Sequence, residues 1–259
     1  MVCVMGALID TIPAGARILD ARFRLADPSA GKKLYLEGHI PGAYFVDLET
    51  QMTGRKTGRN GRHPFPDRKV FADMLGKQLG IGAETSVVIY DDADYAGAAR
   101  LWMMLRWVGH EKVWVLNGGL KGYAGELAKG EEPHPPLARF LARKSLVENF
   151  TWNELGGKLL VDARAPERFR GEVEPIDSVG GHIPGARNFF YQNLLHEGRL
   201  DPSRLPTFEG KPTFYCGSGV TASVLLLAAA ERGMEASLYA GSWSEWCVVR
   251  PQDIAKGEK

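Results

Sequence analysis

Cysteine is scarce in this chain of 259 residues, which contains only Cys3, Cys216 and Cys247. Their odd number and wide spacing argue against a disulfide framework, and the lack of any Cys-x-x-Cys pair argues against a zinc site. We therefore expect no disulfide, no metal and a reducing cytoplasmic environment for this protein.

Long apolar runs and an excess of one charge sign are also missing. The longest apolar candidate, Val224–Ala230, is far shorter than the roughly 18–20 residues that span a bilayer. The N-terminal segment Met1–Gly15 lacks the charged and apolar regions of a signal peptide. The net charge of +1 provides no global field for nucleic acids or membranes, so we expect neither as a partner.

One local run of positive charge stands out in the first third of the chain. It contains five basic residues, namely Arg55, Lys56, Arg59, Arg62 and Arg68. Such a run is either a solvated surface loop or a basic lip on an anion-binding cleft.

Internal repetition is the strongest feature of the sequence. Four landmarks recur in the same order, namely Ile18–Arg22 with Leu160–Arg164, Gly38–Ala43 with Gly181–Ala186, Ser86–Asp91 with Pro212–Cys216, and Leu116–Gly119 with Leu238–Gly241. Lys129–Pro136, rich in proline and charge, is typical of a linker. We therefore predict two similar domains, at 1–130 and 146–259, joined by a linker at about 131–145.

Strand and helix patterns alternate in each half. We predict strands at 86–90, 113–116, 211–215 and 236–239, and helices at 98–108 and 221–232. This alternation indicates an α/β fold, with mostly parallel sheets flanked by helices and with ligands at the carboxyl ends of the strands. Asp91 and Cys216 both lie at such ends.

The segment around Cys216 combines a strand, a glycine-rich turn and a helix. Gly217 and Gly219 permit backbone angles that are closed to other residues, so the loop amides can turn inward as an anion cradle. A cysteine at this position is expected to be a reactive thiolate. The alternative is an inert core thiol, which needs no such loop. Cys3 and Cys247 lack the loop, so we expect packing or surface roles for them.

This loop carries a family resemblance. Cys216–Ala222 resembles the active-site loop of 3-mercaptopyruvate sulfurtransferases, and the two His-Ile-Pro-Gly-Ala segments and Glu167–Gly171 are similar to those of the rhodanese superfamily. Thiosulfate sulfurtransferases typically have basic residues where this chain has Gly217 and Ser218. Cysteine phosphatases have an arginine six positions after the cysteine, where this chain has Ala222. The resemblance implies two tandem rhodanese-like domains, a Cys216 persulfide and no cofactor.

The first domain is expected to lack its own catalytic cysteine, because Asp91 replaces it. His39 and His182 occur in both halves, so we interpret them as structural. His63 lies instead in a segment that only the first half contains, where the alternative is a loop residue that packs before Pro64. The resemblance implies a relay of Glu49, His63 and Ser218 as catalytic residues, although relatives often have aspartate where Glu49 stands.

Substrate binding is also implied by the resemblance. Arg168 matches an arginine that holds the substrate carboxylate, although it could instead form a salt bridge with Asp162 or a neighbour. A second family arginine is absent, because Ile176 takes its place, and Arg170 and Arg187 are the candidates to replace it. The loop residues implied to contact substrate are Gly217, Gly219, Val220 and Thr221.

These residues predict an enzyme that takes sulfur from 3-mercaptopyruvate and passes it to a thiol, a thioredoxin-like protein or cyanide. Two alternatives remain at this stage. One keeps Cys216 but uses thiosulfate as the donor, which Gly217 and Ser218 disfavour and Ile176 favours. The other is a non-enzymatic module that relays persulfide between proteins.

Overall fold

The computed structural model describes residues 6–92 and 94–258, which form two α/β units of the same design. The strands of the first sheet are β1 (Leu8–Ile9), β2 (Arg17–Asp20), β3 (Ala43–Phe45), β4 (Val87–Tyr90) and β5 (Val113–Leu116). Those of the second region are β6 (Glu148–Asn149), β7 (Leu159–Asp162), β8 (Arg187–Asn188), β9 (Leu195–His196), β10 (Arg199–Leu200), β11 (Pro212–Tyr215) and β12 (Ser237–Leu238).

Six α-helices accompany these strands in the described part of the chain. They are α1 (Ala30–Glu37), α2 (Arg68–Leu79), α3 (Ala96–Trp107), α4 (Pro166–Arg170), α5 (Ala222–Glu231) and α6 (Ser242–Val249). Asp67 begins α2 by accepting hydrogen bonds from the amides of Lys69 and Val70, and the left-handed Gly80 ends it. No helix in the described ranges has the length and apolar character needed to cross a membrane.

The two five-stranded sheets have identical topology, which confirms the predicted duplication. The first follows the order β1-β5-β4-β2-β3 and the second the order β6-β12-β11-β7-β8, with all neighbours parallel. β9 and β10 form a separate antiparallel pair in the second domain. The central strands β4 and β11 are buried along their whole length, as expected for parallel sheets covered on both faces.

Paired landmarks in the two domains make equivalent contacts. Asp20 and Asp162 form buried salt bridges with Arg22 and Arg164, each at 2.6 Å. His39 and His182 are buried and use Nδ1 to contact the backbone carbonyls of Tyr35 and Phe169 at 2.9 and 2.8 Å. These matching contacts support the structural interpretation of both histidines.

Helices α3 and α5 pack against each other and join the two domains. Helix α5 is apolar on nearly all sides, and Ala222–Ala229 are buried. One continuous apolar cluster includes Leu101 of α3 and Leu225 of α5, both fully buried. The ends of β4 and β11 are therefore held in fixed positions on either side of this interface, where the candidate site lies.

Candidate active site

Cys216 follows directly after β11 and is 1% exposed. The amide of Gly219 donates a hydrogen bond of 3.1 Å to its Sγ. The carbonyl oxygens of Cys216 and Gly217 are held away by the amides of Trp243 and Ser244 of α6, both at 2.9 Å. The loop therefore directs an amide, rather than these carbonyls, toward the sulfur.

The two glycines of the loop differ in their need for glycine. Gly219 has a φ of +75°, and a Cβ there would lie 2.4 Å from the carbonyl oxygen of Ala240. A Cβ on Gly217 would lie 2.6 Å from Nη2 of Arg62, the end of a flexible side chain that can move. Backbone geometry therefore requires glycine at Gly219, whereas at Gly217 the absence of a side chain lets a guanidinium approach.

Several loop amides remain available for an anion. Within residues 6–92 and 94–258, the amides of Ser218, Val220 and Thr221 donate no hydrogen bond. Thr221 also precedes the first residue of α5, where a helix presents partial positive charge. The predicted anion cradle is consistent with this arrangement.

The first domain contains an internal comparison for this cradle. Asp91 follows β4 as Cys216 follows β11, and its carboxylate accepts hydrogen bonds from the amides of Tyr95 and Ala98 at 3.2 and 3.0 Å. An anion therefore occupies the equivalent turn of the first repeat. Because a carboxylate cannot form a persulfide, the first domain lends other groups to the site.

His63 links the two domains through hydrogen bonds at both ring nitrogens. Its Nδ1 lies 2.8 Å from Ser218 Oγ, and its Nε2 lies 3.0 Å from Oε1 of Glu49. The other carboxylate oxygen of Glu49 accepts a bond of 2.6 Å from Lys56. The glutamate side chain is thus long enough to orient the imidazole, and the predicted set of Glu49, His63 and Ser218 is brought together.

Burial and nearby charges determine the protonation of His63 and Glu49. Burial, assisted by the nearby Arg100 charge, lowers the pKa of His63 to about 4. Partial burial acts to raise the pKa of Glu49, but hydrogen bonds from Lys56 and His63 outweigh it and hold this pKa below its usual value. An ionised Glu49 accepts a hydrogen bond from the Nε2–H of His63. The neutral imidazole therefore accepts a hydrogen bond from the Ser218 hydroxyl at Nδ1.

A cavity of about 250 Å³ lies between the domains and reaches Cys216. Its first-domain lining is Phe23, Arg24, Leu25, Arg62, His63, Asp94 and Ala96, and its second-domain lining is Arg168, Ile176, Tyr191, Cys216, Gly217, Ser218, Val220 and Thr221. Glu49 contacts the site through His63, and Gly219 contributes its amide to the sulfur. The cleft is therefore built jointly by both domains.

Arg168 lines the cavity and is anchored by two carboxylates. Its Nη2 lies 2.7 Å from Glu174 and 3.4 Å from Asp177. The alternative pairing with Asp162 is wrong, because Arg164 occupies that carboxylate. The alternative of pairing with a neighbour does occur, with Glu174 and Asp177. Nη1 of Arg168 nevertheless lies 3.7 Å from the position that a Cβ on Gly217 would take.

The structure does not bring the two candidates for the second arginine, Arg170 and Arg187, to the cavity. Arg170 pairs with Glu172 and with Glu258 near the chain end, and the Arg187 side chain is exposed. Neither contributes to the cavity lining in the described part of the chain. Arg170 is the last residue of α4, and Arg187 lies on the edge strand β8.

Arg62 is a second arginine at the cavity, beside Arg168. Its Nη1 bonds with Asp177, the same carboxylate that contacts Arg168 from the other side. Its position beside His63 within the basic run was the available signal. Of that run, Arg62 contributes to this cavity, whereas Arg59 is exposed and Arg68 bonds with carbonyls elsewhere.

Cys247 lies in α6 and is 6% exposed, and burial raises the pKa of its thiol. The structure thus agrees with a packing role for this cysteine. Cys3 lies outside the described residues.

The rhodanese-like domain family matches residues 6–126 and again residues 145–248. The chain belongs to the rhodanese family. This rhodanese is 42% identical over 267 residues to a probable 3-mercaptopyruvate sulfurtransferase of Pseudomonas aeruginosa, covering 93% of this chain and 92% of that relative. It is 37% identical over 265 residues to a putative thiosulfate sulfurtransferase SseB of Mycobacterium tuberculosis, covering 93% and 90%.

A solved structure has the same architecture over both domains. The 3-mercaptopyruvate sulfurtransferase from Leishmania major superimposes with a TM-score of 0.83 at 28% identity, covering 96% of this rhodanese and 76% of that chain. The family and fold are therefore established, while the named relatives differ in their sulfur donor.

The buried His63 generates a testable dependence of stability on pH. Between pH 6.5 and about 5, the unfolded chain binds a proton at His63 that the folded chain excludes, because its folded pKa is about 4. The free energy of unfolding should therefore fall as the pH falls through this window, and the fall should be smaller in His63→Gln. Urea unfolding at closely spaced pH values measures both slopes, and parallel curves would contradict a neutral His63.

Proposed function

We propose that this rhodanese transfers sulfur from 3-mercaptopyruvate to a thiol acceptor through a persulfide on Cys216. The reaction class is that of the curated relatives, which are named sulfurtransferases at 35–42% identity over most of the chain. The observation that carries the choice of donor is the hydrogen-bonded chain of Glu49, His63 and Ser218 beside Cys216. These enzyme names argue against a purely non-enzymatic relay module.

The reaction needs one nucleophile and one proton transfer. The Cys216 thiolate attacks the thiol sulfur of the substrate, the carbon–sulfur bond breaks, and its electron pair forms the enolate of pyruvate. The proton of the substrate thiol moves to the methyl carbon of pyruvate, and sulfur remains on Cys216 as a persulfide anion. Ser218, whose hydroxyl donates to neutral His63, is placed to carry this proton.

Two guanidinium groups are placed to bind the substrate carboxylate. Nη2 of Arg62 and Nη1 of Arg168 lie 2.6 and 3.7 Å from the same point, the position of a Cβ on Gly217. Asp177 holds the two arginines side by side from behind. The amides of Ser218, Val220 and Thr221 would stabilise the anionic sulfur and the substrate carbonyl.

Thiosulfate is the second candidate donor, because two guanidinium groups also suit a small dianion. Its leaving group is sulfite, which needs no proton on carbon, so the relay would be superfluous. A low-molecular-weight thiol, an exposed cysteine of a thioredoxin-like protein or cyanide would then take the sulfur as the acceptor. A reducing cytoplasm, which keeps a reactive thiol such as Cys216 free, completes the proposal.

The choice of donor predicts a selective effect at Ser218. Wild-type enzyme should have a higher kcat/KM with 3-mercaptopyruvate than with thiosulfate. Ser218→Ala should lower the mercaptopyruvate value roughly 100-fold or more, because the enolate loses its proton carrier, and should leave the thiosulfate value little changed. Steady-state kinetics with both donors and one acceptor measure this difference.

Ser203→Ala is a matched control, because Ser203 is an exposed serine in a short turn of the same domain. It should keep wild-type values with both donors. A wild-type preference for thiosulfate that Ser218→Ala leaves unchanged would refute mercaptopyruvate and favour the second candidate.

Carboxylate recognition predicts a different selective effect at Arg62. Arg62→Gln should lower kcat/KM for 3-mercaptopyruvate roughly 10-fold to 100-fold, which is the effect of losing a charge-assisted contact. With 1-mercapto-2-propanone, which has a methyl group instead of the carboxylate, the same substitution should have little effect. Parallel kinetics of the two thiols separate recognition from a general loss of structure.

The control for this comparison is Arg59→Gln, which removes an exposed charge from the same loop. Equal losses with both thiols in Arg62→Gln would mean that Arg62 supports the loop without contacting the carboxylate.

A further inference from the structure

Arg100 is a fully buried arginine that the proposed reaction does not yet use. It lies on α3, in the interface with the second domain, and its side chain is 0% exposed. Nη2 donates to the carbonyl oxygens of His63 at 2.8 Å and Met52 at 3.4 Å, and Nη1 lies 3.5 Å from the carbonyl oxygen of Gly219. One guanidinium thus contacts the first-domain segment that contains His63 and the second-domain loop that follows Cys216.

The charge of Arg100 has no carboxylate partner within the described residues. Arg62 and Arg168, by contrast, are paired with Asp177 and Glu174. Burial lowers the pKa of Arg100 to about 9, and a negative charge on the Cys216 sulfur would oppose this effect. Arg100 is therefore still charged at pH 7, and this buried charge, which is costly without a carboxylate partner, packs over the Phe65 ring at 4.5 Å from the ring centroid.

The contact with Gly219 also fixes the direction of a loop amide. The Gly219 carbonyl accepts a bond of 2.9 Å from Ser223 Oγ in addition to the contact with Arg100. In a trans peptide the carbonyl and the following N–H point in opposite directions. The N–H of Val220 consequently points away from Arg100, and Val220 itself lines the cavity.

We propose that Arg100 is a positioning residue for sulfur transfer. Its charge balances the anionic sulfur on Cys216, and its hydrogen bonds align His63 with the loop that follows Cys216. This proposal rests on the proposed function only in requiring that Cys216 carries the sulfur. Both the resting thiolate and the persulfide would serve as its counter-charge. The role does not depend on which donor supplies the sulfur.

Two substitutions separate the charge from the hydrogen bonds. Arg100→Met removes both, so alkylation of Cys216 by iodoacetamide at pH 7 should slow about 10-fold, and kcat should fall at least as much. Arg100→Lys keeps the charge but loses the planar fork, so its alkylation rate should approach that of wild type while kcat stays low. KM should change little in both variants, because Arg100 is not among the described cavity-lining residues.

Arg68→Met is the matched control. Arg68 also donates to two backbone carbonyls, those of Trp107 and Arg143, and packs over the Trp107 ring, but it is not among the residues described around the cleft. Its loss should lower the thermal midpoint while leaving alkylation and kcat close to wild type. The thermal midpoint of every variant is measured alongside.

Unchanged alkylation in Arg100→Met, or equal slowing in Arg68→Met, would overturn the electrostatic role. Should Arg100→Met fail to fold, Arg100→Lys decides, because a wild-type kcat in that variant would overturn the positioning role. Failure of the Cys216 persulfide, the one part of the proposed function on which this role rests, is distinguished by Cys216→Ser, which would then retain sulfur transfer whatever the result at Arg100.

Discussion

The site depends on the orientation of the loop that follows β11. An anionic sulfur is repelled by carbonyl oxygens and stabilised by N–H groups, so the loop must turn its carbonyls outward. Trp243 and Ser244 of α6 hold two of these carbonyls from the second domain itself, and Ser223 holds a third. The inward amides, the position of Ser218 and the exposure of Gly217 to the arginines all follow from this arrangement.

Gene duplication provides a division of labour that one domain could not achieve. The turn after β4 places the carboxylate of Asp91 where the other repeat has a sulfur, so the first copy keeps the anion cradle without its chemistry. The same copy has a longer segment before β4, and this segment brings Glu49, Arg62 and His63 to the cleft of its partner. In the proposed reaction one domain therefore holds the sulfur, and both domains provide groups that act on the donor.

The fold could be predicted from sequence because repetition and apolar patterning are local signals. The strand at 113–116 and the common design of the two sheets agree with prediction, whereas the short β9–β10 pair has no comparable pattern. Cys216, Ser218, His63 and Glu49 were identified through their motif context and do lie together. Arg62 and Arg100 were not assigned, because their contacts with Gly217 and Gly219 arise only when the domains pack. Arg170 is near Arg168 in the chain, yet neither it nor Arg187 is among the residues described around the cavity.

The central claim is that sulfur from 3-mercaptopyruvate becomes covalently attached to Cys216. Its most direct test is to mix enzyme with donor carrying a heavy sulfur isotope, without an acceptor, and to examine intact protein and peptides by mass spectrometry while measuring pyruvate. We expect one heavy sulfur atom per chain, on the peptide containing Cys216, with an equal amount of pyruvate and none in Cys216→Ser. Heavy sulfur on Cys247, or pyruvate release without any labelled Cys216, would contradict it.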